Sequence, residues 1–273
     1  MQIEYYIVDV FANDKFGGNP AAVCLLEEAI STKLQQKIAS EINLSETAFL
    51  IKRSDAGAVY DLRWFTPKVE VELCGHATLA SGYVLYEQAG VNADAIRFNT
   101  LSGVLSVAKA QERFWLTLPK RKPSPTGCYK SFASAFGTDN FQTLKANDFF
   151  LVFDSPEEVA ALEPDFEKLK LVKEEAGLED DVFGIIVTAR GGGFGCDFVS
   201  RFFAPNAGIN EDPVTGRAHS SLVPYWSDVL HKKDLTAKQL SERRGDIACV
   251  NNDDDTVSLG AELQIFSKGC ILL

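Results

Sequence analysis

A carboxylate at Glu46, a thiol at Cys74, an imidazole at His76 and a second carboxylate at Asp212 are the side chains best placed to move protons. Cys74 and His76 flank Gly75, and Asp212 precedes Gly216. A glycine that opens a helix leaves backbone N–H groups and the positive end of the helix dipole accessible, a combination that binds carboxylates and phosphates. Glu46 lies in Leu44-Ser45-Glu46-Thr47, between a helix end and an apolar run. Burial there raises a carboxyl pKa toward that of a working general base, whereas an open loop leaves an ordinary solvated glutamate, and the local sequence fits both. His76 is expected to stay neutral at a helix N-terminus and to pass a proton or donate a hydrogen bond. Cys74, at the same terminus, is expected to have a depressed thiol pKa. Asp212 has a competing role as the cap of its turn. No metal site is expected, because His76, His219 and His231 show no ligand spacing with each other or with the six cysteines.

These residues sit on a repeated plan. Arg63-Trp64-Phe65-Thr66-Pro67 is echoed 138 residues later by Arg201-Phe202-Phe203-Ala204-Pro205, and a three-residue insertion puts Gly216 at 141 residues after Gly75. At the first offset Phe49 matches Val187 and Gly57 matches Gly195. A single repeat of so long a period means two similar lobes, not a solenoid. The expected fold class is α+β, with lobes at 1–119 and 128–261, the first completed by a strand near 262–273. Each is a mostly antiparallel sheet wrapped on a central helix, with a cleft between the lobes. The repeat fails at the chemistry: Glu46 matches Gly184, Cys74 matches Thr215 and His76 matches Arg217. A racemase with a thiol on each face of its substrate needs two cysteines, and only one is present here.

The elements that position these residues are readable from pattern. Residues 3–11 and 21–26 have strand character. Ser31 is an N-cap for a helix with Leu34, Ile38 and Ile42 on one stripe, ending near Asn43, and a strand over 48–51 follows. A hairpin at Gly57 returns through 59–65, and a helix rich in small residues runs from Gly75 to Gln88. Strands are expected at 95–101, 104–108 and 114–118, and a linker at 119–127. In the second lobe, strands are expected at 149–153 and 182–188, a short helix at 167–175, and a helix at 216–230 that Pro224 should kink or whose first turn it should mark. Residues 235–243 read as amphipathic, and closing strands are expected at 247–250, 256–259 and 264–266.

Composition narrows the function classes. The 273 residues are 46% hydrophobic and 24% charged, as for a packed globular chain. A net charge of −11 with no long basic run argues against a nucleic-acid footprint. No apolar stretch approaches the length of a membrane span and no secretory leader is visible, so a cytoplasmic protein with reduced thiols is expected.

Four motifs in order, Phe16-Gly17-Gly18-Asn19-Pro20-Ala21-Ala22-Val23, Asn43-Leu44-Ser45-Glu46-Thr47, Leu73-Cys74-Gly75-His76-Ala77-Thr78 and Glu211-Asp212-Pro213-Val214-Thr215-Gly216, closely resemble the PhzF-like family of phenazine-biosynthesis proteins. The resemblance implies the diaminopimelate epimerase fold, a homodimer, and cofactor-free isomerisation of a small, possibly cyclic, amino-acid-like carboxylate. It implies that Glu46 moves the proton, that His76 and Asp212 assist or position the substrate, and that Asn19, Ser45, Cys74, Gly75, Thr215 and Gly216 line the binding site. Arg217 departs from the serine usual in the family at that place. Two readings of it stand, a bidentate clamp on a substrate anion or an ordinary outward helix residue. Alternatives to the isomerase are an epimerase that uses Cys74 and a member that binds a small molecule without turnover.

Overall fold

The computed structural model describes residues 1–53, 57–127, 129–178 and 184–273. The start of the strand expected over 182–188 and Cys128 lie outside these residues. The chain divides into two compact units, Met1–Leu118 with Ser258–Leu273, and Pro119–Val257.

In the first unit, strand Gln2–Val10 pairs antiparallel with both Leu263–Leu272 and Asn19–Leu26. Asn19–Leu26 runs parallel to Glu46–Lys52, which pairs antiparallel with Val59–Phe65. Val59–Phe65 runs parallel to Ala95–Thr100, followed antiparallel by Gly103–Ala110 and Arg113–Pro119. The helix Gly75–Glu87 packs against four of these strands, and its small residues Ala77, Ala80 and Ser81 are fully buried. Small side chains let the sheet close around it, so burial rather than an amphipathic stripe holds this helix in place.

The second unit repeats the order of pairing. Phe141–Lys145 is antiparallel to Phe149–Phe153, which is parallel to Ile185–Arg190. Antiparallel Phe198–Phe203, parallel Asp234–Gln239 and antiparallel Gly245–Asn251 follow. The matched turns share backbone geometry, with Gly57 at φ +65° and Gly195 at φ +69°. Its core is aromatic: Phe132, Phe149, Phe153 and Phe203 pack with Leu151 and Val187.

The doubled Arg-aromatic-Phe signature has a structural cause. Arg63 forks Glu70 with two bonds of 2.7 Å and lies 5.2 Å over the Phe65 ring. Arg201 forks Glu211 at 2.7 and 2.9 Å and lies 5.0 Å over Phe203. Glu70 and Glu211 stand at the second offset of the repeat, so each arginine ties its strand to the segment entering the glycine-led helix.

Pro224 lies inside the helix Gly216–Leu230, not in its first turn. Its missing N–H leaves the Ser220 carbonyl unpaired within the helix, and Arg121 N donates to that oxygen at 2.9 Å. Residues 119–127 are not a free linker but part of the second unit, where Lys120 N also donates to Asp255 O at 2.8 Å. Residues 234–239 form a strand whose alternating burial puts Leu235, Ala237 and Gln239 inside.

Candidate active site

Glu46 owes its position to a helix stop and a strand start. Ser31 accepts from Leu34 N at the head of the helix Thr32–Ile42, and Asn43 at φ 54° ends that helix in the left-handed conformation. Three residues later the chain enters the strand as Glu46, opposite Ala21 in parallel register. Cys74 is the extended N-cap residue of the next helix, and His76 is its second helical residue. Gly75 and Gly216 open their helices without left-handed backbone, so glycine serves there to leave the helix end bare. Neither N-cap side chain, Cys74 or Thr215, makes a capping hydrogen bond.

The first unit brings Asn19, Ser45, Glu46, Cys74, Gly75 and His76 together. His76 Nε2 stands 3.2 Å from Glu46 Oε2, with side chains 7% and 14% exposed. Both atoms are buried, and neither makes a directed hydrogen bond to any other group. The other ring nitrogen, Nδ1, faces Asn19 Nδ2 at 3.5 Å and Cys74 Sγ at 3.6 Å. Ser45 Oγ donates to Asn19 Oδ1 at 3.3 Å and to the Pro20 carbonyl at 3.2 Å, which fixes the Asn19 amide.

The three titrating groups reverse the behaviour expected of each alone. Burial pushes the Glu46 carboxyl up, but His76, Ser45 and Cys74 outweigh it and hold the group below its ordinary value. Burial pulls His76 down, but Cys74 and Glu46 raise it well above the usual imidazole range. Burial and the Glu46 charge push the Cys74 thiol up, against the lowering expected at a helix N-terminus. All three directions are thus set by the contacts within the cluster and not by burial alone.

The second unit holds Asp212, Thr215, Gly216 and Arg217. Thr215 Oγ1 donates to Asp212 Oδ2, so Asp212 braces the turn through the side chain of the N-cap residue Thr215 and is not itself the cap. Gln239, fully buried and absent from the sequence expectations, accepts from Thr215 N at 2.9 Å and donates to Asp212 O at 2.8 Å. Its signal in the sequence is a polar residue in the inward phase of an alternating strand. Arg217 Nη2 pairs with the buried Asp148 Oδ1 at 2.6 Å, and Gly184 N donates to the same oxygen at 2.6 Å. Where the first unit pairs Glu46 with His76, the second pairs Asp148 with Arg217. Even the support of the N-cap carbonyls repeats. Thr78 Oγ1 donates to Cys74 O at 2.5 Å, and His219 Nδ1 to Thr215 O at 2.8 Å.

A side chain at Gly184 would force Phe202 to shift, since a Cβ there would meet Phe202 Cζ at 2.0 Å. Gly184→Ala is expected to destabilise the protein by about 1–3 kcal/mol through overpacking, read by urea denaturation. An unchanged midpoint would show that Phe202 gives way freely.

Among the described residues one set of mixed donors converges closely enough to hold a metal ion: Glu46, Cys74 and His76, whose ligand atoms lie within 4.8 Å of one another. Spacing along the chain missed it because one donor comes from a strand and two from a helix start. Among the same residues no helix is long and apolar enough to cross a membrane.

Residues 8–260 match the family of phenazine biosynthesis-like proteins, PhzC-PhzF. An uncharacterized isomerase of Pseudomonas aeruginosa is 45% identical over 249 residues, 91% of each chain. The crystal structure of a PhzF-family phenazine biosynthesis protein from Enterococcus faecalis is 42% identical, covers both chains completely and superposes with a TM-score of 0.92. A hydroxyproline epimerase of Agrobacterium vitis, 9% identical with a TM-score of 0.61 over 99% of this chain and 92% of its own, shares the fold alone. The fold is thus the α+β, diaminopimelate epimerase-like one, and with family match, relative and structure in agreement over almost the full length, this chain belongs to the PhzC-PhzF phenazine biosynthesis-like family of isomerase type.

Proposed function

We propose that this chain is a cofactor-independent isomerase that moves a proton between carbon positions beside a carboxylate in a small, amino-acid-like substrate. Glu46 takes the proton from carbon and returns it elsewhere, and His76 as imidazolium stabilises the charge that develops in between. The observation that carries this reading is the buried pair of Glu46 Oε2 and His76 Nε2, 3.2 Å apart and with no other directed partner. The bare helix end at Gly75 supplies N–H groups for the substrate carboxylate, and Asn19, Ser45 and Cys74 line the site. In the second unit, Asp212, Thr215, Gly216 and Arg217 are read as binding and positioning elements, because Asp212 holds Thr215 and Asp148 holds Arg217. A homodimer is proposed on the family resemblance. The test is deuterium uptake from solvent into small carboxylated amino acids. Tight binding with no uptake in any substrate that binds would favour a protein that has kept the site and lost turnover.

An epimerase in which Cys74 is a second proton carrier competes with this reading, because Sγ lies 3.6 Å from His76 Nδ1. Its raised thiol pKa works against it. Unchanged exchange in Cys74→Ala would dispose of the epimerase.

The pH profile follows from the same pair. Glu46 lies below the ordinary carboxylate value of about 4.3 and His76 above the imidazole value of about 6.5. If Glu46 must be ionised and His76 protonated, kcat/KM has an acid limb below the first value and an alkaline limb above the second. Stability carries the same signs. The Glu46 contribution is present above the unfolded carboxylate range and is lost as pH falls through its folded pKa; that of His76 is full below about 6.5 and is lost as pH rises through its folded pKa. An activity optimum confined to about pH 5–6, with limbs at the unperturbed values, would contradict the pairing.

A further inference from the structure

We propose that Glu46, Cys74 and His76 also form a Zn²⁺ site, at which the ion binds in place of substrate and stops turnover. The three donor atoms lie within 4.8 Å of one another and come from two rigid elements, a strand start and a helix start. A tetrahedral zinc ion with bonds of about 2.0–2.3 Å holds its ligands about 3.3–3.8 Å apart, so side-chain shifts of about 1 Å complete three corners. One oxygen, one nitrogen and one sulfur donor form a set suited to a borderline ion, whereas Mg²⁺ and Ca²⁺ take oxygen ligands. Glu46 Oε2 and His76 Nε2 are buried 3.2 Å apart and have no other hydrogen-bond partner, so an ion between them would replace that single contact.

Bound as carboxylate, neutral imidazole and thiolate, the three ligands carry two negative charges against a dication, so the loaded site buries no net charge. With the Glu46 lone pair committed to the ion, the carboxylate no longer accepts a proton from carbon. The inhibitory half of the proposal therefore rests on the isomerase reading, and the metal site does not.

The experiment titrates the full chain with Co²⁺ as a spectroscopic stand-in for zinc. The expected result is one ion per chain, a near-ultraviolet thiolate-to-cobalt charge-transfer band, and its loss when Zn²⁺ is added. Cys74→Ser should abolish the band and weaken Zn²⁺ binding at least about 100-fold, since even a lost outer partner of a ligand costs 10–100-fold. Cys270→Ser, at an exposed thiol, should change neither. If Cys74→Ser fails to fold, Glu46→Gln decides: it should keep the band and bind Zn²⁺ at least about 10-fold more weakly. A titration without the band, or one indifferent to Cys74 and to Glu46, would overturn the site. Cobalt binding as expected in a protein that shows no deuterium exchange rejects the isomerase and leaves the site standing. Exchange that persists in the zinc-saturated protein overturns the inhibition.

Discussion

Glu46→Gln is expected to lower the rate of solvent-deuterium exchange by a factor of about 10²–10⁴ while leaving substrate binding within reach of the wild type. The amide keeps the size and shape of the carboxylate, so the packing around the strand start at Glu46 and the helix start at Gly75 is retained. What it loses is the lone-pair basicity that accepts a proton from carbon. The substitution also removes one of the groups that raise His76, so the imidazole pKa should fall when followed by NMR. These two readouts separate a proton carrier from a residue that only orients His76. An orienting residue would shift the imidazole titration and leave exchange reduced only modestly. Undiminished exchange in the variant would reject the assigned role.

The fold was largely legible because its signals are local or repeated. Ser31 and Asn43 announce a helix start and stop, and both act there as expected. The Arg-aromatic-Phe repeat predicted two like halves, and the two units do share one order of parallel and antiparallel pairings. Asp234–Gln239 was harder, because a six-residue strand with alternating burial and an amphipathic helical turn look alike over so short a window. The site was legible in its membership and illegible in its electrostatics. Glu46, Cys74 and His76 could each be named from neighbours in the chain, yet the pKa direction read from those neighbours is reversed for all three. A helix end depresses a thiol and keeps an imidazole neutral only while no buried carboxylate stands beside them. Glu46 reaches Cys74 and His76 through the fold, and no local pattern records that. Asp148 and Gln239 escaped notice for a related reason: each holds a residue of the second turn from a different element.

Arg201→Met is expected to cost about 3–5 kcal/mol of stability, and Arg63→Met only about 1 kcal/mol, although the two arginines are the same letter of one repeat. Both fork a glutamate and both lie over a phenylalanine ring, so the difference comes from burial and from the third nitrogen. The Arg63 side chain is 34% exposed, and its Nη1 donates to the Thr32 hydroxyl at 3.0 Å, a partner that water replaces readily. The Arg201 side chain is 10% exposed, and its Nη1 donates to the carbonyls of Val159 at 3.2 Å and Leu162 at 2.6 Å. Those carbonyls belong to the end of the helix Pro156–Ala161, where no further turn supplies donors. Removing the guanidinium leaves them and Glu211 without partners in a poorly hydrated place, and the unpaired carboxylate dominates the loss. Urea denaturation of both variants measures the contrast. Adding Glu211→Leu to Arg201→Met should recover part of the stability, because removing both members of a buried pair costs less than stranding one. Equal losses in the two single variants would mean that the repeat is energetically as symmetric as it is in sequence. The expected inequality says that one motif was kept in both halves for its geometry, while only the second half relies on it to close a helix end.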